Sequence, residues 1–347
     1  MVRPYQQANL VLAAGKQNDA ALVRALQRDL RRLGYLRAGI DGDFGGGTAA
    51  AVRSLQYDLL LNDGASTARD GRAPVAVSSY NGGRVAAVTG EMDQDLASCL
   101  GDLIADDEFP KLPNASDPRA ENDGVMGAIA GSASTTAPTP FILAMVKQES
   151  GGRHYAVPHG KDEDNYVIVG LDRKPESDNI TSRGYGIGQY TLFHHPPQRA
   201  EIENFILDPL RNLSRAYEHF RGKFDGYVMG PADSADDRVA EHPTLPLRLC
   251  RYEPTDSRYM RDCRACAEAA GKIDVTLGMP VHQGASIAYR PTGYYRSAEY
   301  PGVPVRADFL CDWPYAARRY NGSGINSYHY QTRILRNLLA LPPWSRP

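Results

Sequence analysis

The sequence predicts a mainly α-helical protein of two domains, and three observations support this prediction. Apolar residues recur at helical spacing in three short segments of the first 105 residues. Residues 106–138 are rich in Asp, Pro, Asn, Gly, Ala, Ser and Thr, a composition typical of a linker. Residues 139–347 then combine helical segments with long polar loops, and 347 residues are enough to bury a core in each of two domains.

The three helices predicted in residues 1–105 form a compact bundle. Asp19 is the predicted N-cap of the first helix and Gly34 its end, and Thr48 is the predicted N-cap of the second. The apolar faces of the three helices are Leu22, Leu26, Leu30 and Leu33; Val52, Leu55 and Leu59; and Met92, Leu96, Leu100 and Leu103. Helical signals in the second domain cover residues 140–150, 208–220, 263–271, 314–321 and 328–339.

The charge balance argues against two classes of partner. The chain has 39 basic and 41 acidic residues, a net charge of -2, so we expect neither nucleic acid nor an anionic membrane as the main partner. No stretch is apolar over the length of a membrane span, and the N-terminal residues lack the apolar core of a secretory signal. We expect no metal, because no metal-peptidase pattern of spaced His and Asp is present. We also expect a monomer and no cofactor.

The cysteines leave three possibilities open. Cys250, Cys263, Cys266 and Cys311 have the number and spacing for two disulfides, for a zinc site or for free thiols. Cys99 lies on the apolar face of the third helix and is predicted to be buried.

A sequence pattern runs from Leu22 to Gln56 and suggests the role of the first domain. It consists of Leu26-Gln27, Leu-Gly-Tyr at 33–35, Asp-Gly-x-Phe-Gly at 41–45, Thr48, Ala51-Val52 and Gln56. This pattern resembles the peptidoglycan-binding domain type 1 family, with an insertion between residues 61 and 88. Turn chemistry alone explains Asp41, Gly42 and Gly45. We therefore expect wall contacts from exposed groups beside the turn, namely Tyr35 and Arg37.

Glu149 is the candidate catalytic residue of the second domain. It continues the apolar stripe of Ile142, Met145 and Val146 at the C-terminal end of the helix predicted over 140–150. Burial and the negative end of the helix dipole both disfavour its anion, so its pKa should rise toward that of a general acid. The alternative is a structural glutamate paired with an arginine or with backbone donors.

Three short motifs follow one another around this helix. They are ESGG at 149–152, RGYGIGQYTLF at 183–193 and YAARRYNGSG at 315–324. In this order they resemble the lytic transglycosylase branch of the lysozyme-like superfamily. The resemblance implies a lysozyme-like α(+β) domain over 139–347. It makes Glu149 the acid and base and Ser150 its neighbour, with Gly188 and Gln189 lining the cleft and Tyr320 and Asn321 facing the acid.

Two features keep other readings open. Tyr185 and Tyr190 flank the GIGQ loop and are candidates for stacking on sugar rings. The stretch between Gly152 and Arg183 is acidic, and a hydrolytic muramidase or chitinase-type enzyme usually needs a second carboxylate, which a transglycosylase does not. The candidates for that second carboxylate are Asp162, Asp164, Asp172 and Asp178. A non-catalytic wall-binding protein is the alternative from another class.

Together these features predict an enzyme that cleaves the β-1,4 bond between N-acetylmuramic acid and N-acetylglucosamine. Its partner is the peptidoglycan glycan strand. Without a recognisable signal, we expect synthesis in the cytoplasm and action in the periplasm or cell wall. Delivery would be by holin-type release, as for an endolysin, or by a secretion machine, as for an antibacterial effector with an immunity protein as a further partner.

Overall fold

A computed structural model describes residues 2–65, 71–131, 138–170, 177–224, 313–321 and 325–341. These residues are mainly helical, as the sequence predicts. They fall into two compact units, unit 1 within residues 1–123 and 153–215 and unit 2 within residues 124–152 and 216–347. The predicted domain limits at residues 105 and 139 do not coincide with this division, because residues 153–215 belong with the N-terminal helices.

The N-terminal bundle of unit 1 contains α1 Ala20–Arg32, α2 Gly46–Leu61 and α3 Gln94–Ala105. Asp19 caps α1 as predicted, since its carboxylate accepts hydrogen bonds from two backbone N–H groups of the first turn. Gly34 follows the end of α1 with a φ of 82°, the left-handed conformation that glycine adopts at low cost. The cap predicted at Thr48 is wrong, because the N-cap of α2 is Gly45, three residues earlier, and it makes no side-chain hydrogen bond.

Two buried glutamines hold the turns of this bundle. The Gln27 amide donates to Asp41 Oδ1, Asp43 O and Thr48 Oγ1 at 2.8–3.0 Å and accepts from Gly42 N at 2.8 Å. Gln56 has a similar role at residues 89–91, where it donates two hydrogen bonds and accepts two. The motif residues Gln27, Asp41 and Thr48 therefore form one internal hydrogen-bond network, which satisfies a polar group in the core.

The described part of the stretch predicted as a linker, residues 106–131, has ordered structure. Leu112 N donates to Arg32 O at 2.7 Å, Ala115 N to Asn165 O at 3.0 Å, and Val167 N to Pro113 O at 3.1 Å. Helix α4, Pro118–Gly131, follows, and the division between the units falls within it. Leu112 and Ala115 are buried, and their burial explains why a polar, Pro-rich composition still gives fixed structure here.

The rest of unit 1 is a small antiparallel hairpin with two helical turns. Strands β1 Arg183–Tyr185 and β2 Tyr190–Leu192 pair with Tyr185 opposite Tyr190. A helical turn, Arg199–Glu201, continues into a π-helical turn, Ile202–Ile206. Helix α6, Pro209–Phe224, follows and also crosses the division between the units.

Unit 2 contains α5 Thr139–Ser150, α7 Trp313–Tyr320 and α8 Ile325–Leu339, close to their predicted limits. Helix α8 packs against both α5 and α7. Asn337 on α8 donates to Ala144 O of α5 at 3.2 Å, and Gln331 donates to Pro314 O of α7 at 3.0 Å.

The remaining predictions about cysteines and membrane helices have different outcomes. The helix predicted over 263–271 and the four C-terminal cysteines lie outside the described residues. Cys99 is fully buried, as predicted. Among the helices in the described part of the chain, none has the length and apolar character needed to cross a membrane.

Candidate active site

Glu149 lies in the last turn of α5, where the predicted apolar stripe is buried. Ile142, Met145 and Val146 are at most 4% exposed, and Glu149 itself is half-buried. The helix ends at Gly151, whose φ of 69° turns the chain away, and Gly151 N donates to Lys147 O at 3.1 Å. The sequence therefore places one carboxyl group at the end of an otherwise apolar helix face.

The environment of Glu149 raises its pKa from 4.5 to about 6. Burial is the main cause, because it disfavours the charged carboxylate. A hydrogen bond that Tyr330 Oη donates to Glu149 Oε1 acts in the opposite direction, because it stabilises the anion. The predicted rise in the pKa of Glu149 and its cause in burial are confirmed, and the protonated form is accessible just below neutral pH.

Two tyrosines of unit 2 accompany Glu149. Tyr320, the last residue of α7, stacks on Tyr330 of α8 with ring centroids 6.0 Å apart and an interplanar angle of 30°. Burial first, and then the nearby charge of Glu149, raise the pKa of both phenols well above the ordinary value. Both hydroxyls therefore stay protonated at neutral pH and remain hydrogen-bond donors.

An aromatic cluster holds Tyr320 in place. Phe220 contacts the Tyr320 ring edge-on with centroids 5.9 Å apart, and His219 does so at 5.2 Å. Phe220 in turn stacks on Trp313 at 5.6 Å. These contacts fix α7 next to the end of α6, so the position of Tyr320 depends on aromatic packing.

Sequence reasoning missed Tyr330. Its signal is the spacing of Tyr330, Ile334 and Leu338 at intervals of four, which places the tyrosine on the buried stripe of α8. The neighbouring predicted site residues behave differently. Ser150 is buried and its Oγ donates to Val146 O at 3.1 Å, and Asn321 follows α7 directly and is exposed.

The GIGQ loop belongs to unit 1 and connects β1 to β2. Gly186 and Gln189 have φ values of 69° and 49°, both in the left-handed region. Gln189 Nε2 donates to Gly186 O at 2.8 Å, so the amide folds back onto its own hairpin. A Cβ atom at Gly170 or Gly184 would lie 2.1 or 2.9 Å from Gln189 Oε1, which requires glycine at both positions while the amide stays there.

Two buried residues outside the predicted site, His154 and Asn212, hold this loop. His154 Nδ1 accepts from Ile187 N at 3.1 Å while its Nε2 lies 2.8 Å from Ile206 O. This pattern requires the neutral ring with the proton on Nε2, and burial lowers the pKa of His154 to about 4. Asn212 accepts from Gly188 N at 2.9 Å and donates to Tyr185 O at 2.8 Å.

Two expectations about exposed tyrosines are wrong. Tyr185 is completely buried, with its hydroxyl 3.3 Å from His195 Nδ1, so its ring presents no face to a sugar. Tyr35 is 1% exposed because the chain reverses at Gly34 and returns the ring to the core, where its hydroxyl donates to Asp58 Oδ2 at 2.7 Å. Tyr190 is half-buried against Phe205, and Arg37 is exposed, as predicted.

The acidic stretch of unit 1 contacts the N-terminal bundle. Asp164 Oδ2 pairs with Arg31 Nε at 2.8 Å in a buried ion pair, and Asp178 pairs with Arg53 at 2.9 Å in a half-exposed one. Asp162 Oδ1 accepts from Ile40 N at 3.1 Å and from Asp164 N at 2.8 Å. Asp172 lies outside the described residues. Within the described ranges, no cluster of His, Cys, Asp and Glu has the composition of a metal site.

Comparison with known proteins identifies one part of the chain. Residues 19–65 match the family described as "Putative peptidoglycan binding domain", a range that covers α1, the turn held by Gln27, and α2. The predicted resemblance of the N-terminal pattern is thereby confirmed, and peptidoglycan association is the function it indicates. A search of curated proteins and a search of solved structures gave no match. The resemblance to lytic transglycosylases stays a prediction.

Proposed function

We propose that the protein cleaves peptidoglycan glycan strands between N-acetylmuramic acid and N-acetylglucosamine, with Glu149 as general acid and base. The main observation behind this proposal is that Glu149, at the end of a buried helix, has a pKa of about 6 and accepts a hydrogen bond from Tyr330. A peptidoglycan-binding domain in the same chain supports the substrate class.

The proposed chemistry needs one protein carboxyl group. Protonated Glu149 donates its proton to the glycosidic oxygen as the bond from that oxygen to the muramic acid C1 breaks. The carboxylate then takes the proton from the substrate's own C6 hydroxyl as that oxygen bonds to C1 and closes the anhydro ring. Tyr330 engages Glu149 Oε1, which favours proton transfer through Oε2.

The contacts of the three described candidates for a second carboxylate support transglycosylation over hydrolysis. A hydrolase needs a second carboxylate to activate water or to stabilise the cation. Asp164 and Asp178 already pair with arginines of the N-terminal bundle, and Asp162 accepts two backbone N–H groups. These interactions explain the three carboxylates as structural groups.

The test is digestion of purified peptidoglycan followed by mass spectrometry. Anhydromuropeptides identify a transglycosylase, reducing muramic acid ends a muramidase, and absence of products a non-catalytic wall-binding protein. Glu149→Gln should lower the rate by on the order of a hundredfold or more, because the amide has no transferable proton. Glu218→Gln, an exposed glutamate of α6, is the matched control and should retain full activity.

The same proposal includes a place of action. Peptidoglycan lies in the periplasm or cell wall, so the protein would act there after release through a holin or delivery by a secretion machine. Expression of the chain directed to the periplasm, compared with expression in the cytoplasm, tests this: lysis should require the periplasmic form and an intact Glu149.

A further inference from the structure

Phe220, near the C-terminal end of α6, contacts both ends of α7. Its side chain is 1% exposed. Its ring stacks on Trp313, the first residue of α7, with centroids 5.6 Å apart and an interplanar angle of 28°. The same ring contacts Tyr320, the last residue of α7, edge-on at 5.9 Å. About two helical turns separate Trp313 from Tyr320, so both lie on one face of α7, and Phe220 holds that face at both ends.

Helix α8 makes two contacts with α7 close to the same residues. Gln331 Nε2 donates a hydrogen bond to Pro314 O at 3.0 Å, next to Trp313. Tyr330, the residue before Gln331, stacks on Tyr320 with centroids 6.0 Å apart and an interplanar angle of 30°. The Tyr320 ring is therefore in contact with a ring of α6 and with a ring of α8.

Tyr330 connects this packing to Glu149. Its side chain is 7% exposed, and its Oη donates a hydrogen bond to Glu149 Oε1. A tyrosine side chain has two χ angles, so the position of its hydroxyl is fixed once its ring is packed. The Tyr330 ring packs on Tyr320, and Phe220 holds Tyr320. Three rings thus link a core residue of α6 to the carboxyl group at the end of α5.

We propose that Phe220 is a positioning residue for Glu149, which holds Tyr320 against Tyr330 so that the Tyr330 hydroxyl stays on the carboxyl group. In this scheme Phe220 acts through two other rings and takes no part in proton transfer. Its consequence for catalysis rests on the proposed function. Its consequence for Glu149 does not, because the hydrogen bond can be followed without any substrate.

A purely structural role for Phe220 gives a different expectation. Loss of a buried ring lowers the free energy of unfolding wherever it occurs in a core, because it leaves a cavity. Phe141 provides the comparison, since it is 0% exposed and lies in the first turn of α5, at the opposite end of that helix from Glu149. Phe141→Leu and Phe220→Leu should therefore destabilise the protein to a similar extent. A positioning role requires that Phe220→Leu also changes the ionisation of Glu149 and that Phe141→Leu does not.

The test is an NMR titration of the Glu149 carboxyl group in the full chain, labelled with ¹³C-glutamate and assigned through the signal that Glu149→Gln removes. The Tyr330 hydrogen bond lowers the pKa of Glu149, so Tyr330→Phe should raise that pKa by about one pH unit. Phe220→Leu should raise the pKa by at least about half as much. Phe141→Leu should leave the pKa at the parent value, while urea unfolding shows that both leucine variants are folded and similarly destabilised.

Two further comparisons show whether the effect depends on the rings and on the hydroxyl. In the Tyr330→Phe background, Phe220→Leu should cause no further rise in the pKa of Glu149, because the hydroxyl through which it acts is gone. Tyr320→Phe keeps the ring and should leave the pKa near the parent value, and Tyr320→Leu should raise it as Phe220→Leu does. In digestion assays with peptidoglycan, the alkaline limb of kcat/KM should move with the pKa in each variant.

Three results would overturn the proposal. The first is a parent-level pKa of Glu149 in folded Phe220→Leu, and the second is an equal rise in Phe141→Leu. The third is a rise caused by Phe220→Leu that is as large in the Tyr330→Phe background as in the parent. If Phe220→Leu does not fold, Tyr320→Leu decides at a half-buried site, where a parent-level pKa rejects the proposal. The catalytic proposal fails separately, when these pKa changes are found but peptidoglycan gives no products.

Discussion

Two ion pairs of nearly equal length should contribute very differently to the free energy of unfolding when their aspartates are replaced. Arg31 Nε and Asp164 Oδ2 are 2.8 Å apart with side chains 3% and 5% exposed, while Arg53 Nε and Asp178 Oδ1 are 2.9 Å apart with side chains 40% and 36% exposed. Asp164→Asn leaves the Arg31 cation buried without a counter-charge, which costs about 3–5 kcal/mol. Asp178→Asn leaves Arg53 in solvent, so its cost is about 0–1 kcal/mol.

Urea unfolding of both variants at pH 7 measures this difference. Arg31 keeps a hydrogen bond from Nη1 to Leu36 O at 3.2 Å, which offsets only part of the loss. Double-mutant cycles with Arg31→Met and Arg53→Met isolate the pairwise energies. Equal destabilisation by the two aspartate substitutions would refute the reasoning, because burial is the main difference between the pairs.

The remaining predictions concern pH, a catalytic hydrogen bond and the turn network. The Tyr330 hydrogen bond lowers the pKa of Glu149, so Tyr330→Phe should shift the alkaline limb of the kcat/KM profile to higher pH. Loss of the hydrogen bond should also lower the rate on the order of tenfold. An unmoved limb would contradict this. Burial lowers the pKa of His154 to about 4 in the folded chain. As the pH falls, this histidine is therefore protonated in the unfolded chain before it is protonated in the folded chain. Stability should therefore fall by up to about 3 kcal/mol as pH drops from about 6.5 to about 4. His154→Gln should flatten that slope in urea unfolding, and an unchanged slope would count against it. Gln27→Ala should lower the free energy of unfolding by about 1–3 kcal/mol, because it leaves Gly42 N without its acceptor. Gln7→Ala, at an exposed site where the amide bonds Pro4 O, should cost much less.

Local patterns in the sequence were sufficient to predict most of the described helices and the raised pKa of Glu149, though not its partner Tyr330. The spacing of Ile142, Met145 and Val146 predicts a buried stripe that Glu149 continues, and in the structure all of residues 139–146 are buried. Burial at a helix end then gives the raised pKa without knowledge of any partner. Gly151 and Asp19 also act locally, which is why the ends of α5 and α1 could be predicted.

Contacts between distant parts of the chain could not be predicted in the same way. Tyr35 looks like an exposed residue beside a turn, but its ring is buried because His195, 160 positions later, packs edge-on against it at 4.6 Å. Arg183 adds a hydrogen bond to Tyr35 O at 3.2 Å. Neither contact can be recognised from the pattern of residues 33–37, because the spacing of apolar residues in a helix indicates only which face of that helix is buried.

The same long-range contacts change what can be expected of the isolated wall-binding domain. Composition predicted a tethered module that residues 1–110 could reproduce. In unit 1, however, the Arg31 guanidinium and the Tyr35 ring are buried by Asp164 and His195, which that fragment lacks. A fragment ending at residue 110 exposes this surface to water, so its bundle should be less stable than the same bundle in the full chain. Comparing urea unfolding and wall sedimentation of the fragment and the full chain tests this: equal stability of the bundle would show that it needs no support from residues 153–215, and the simple modular picture would stand.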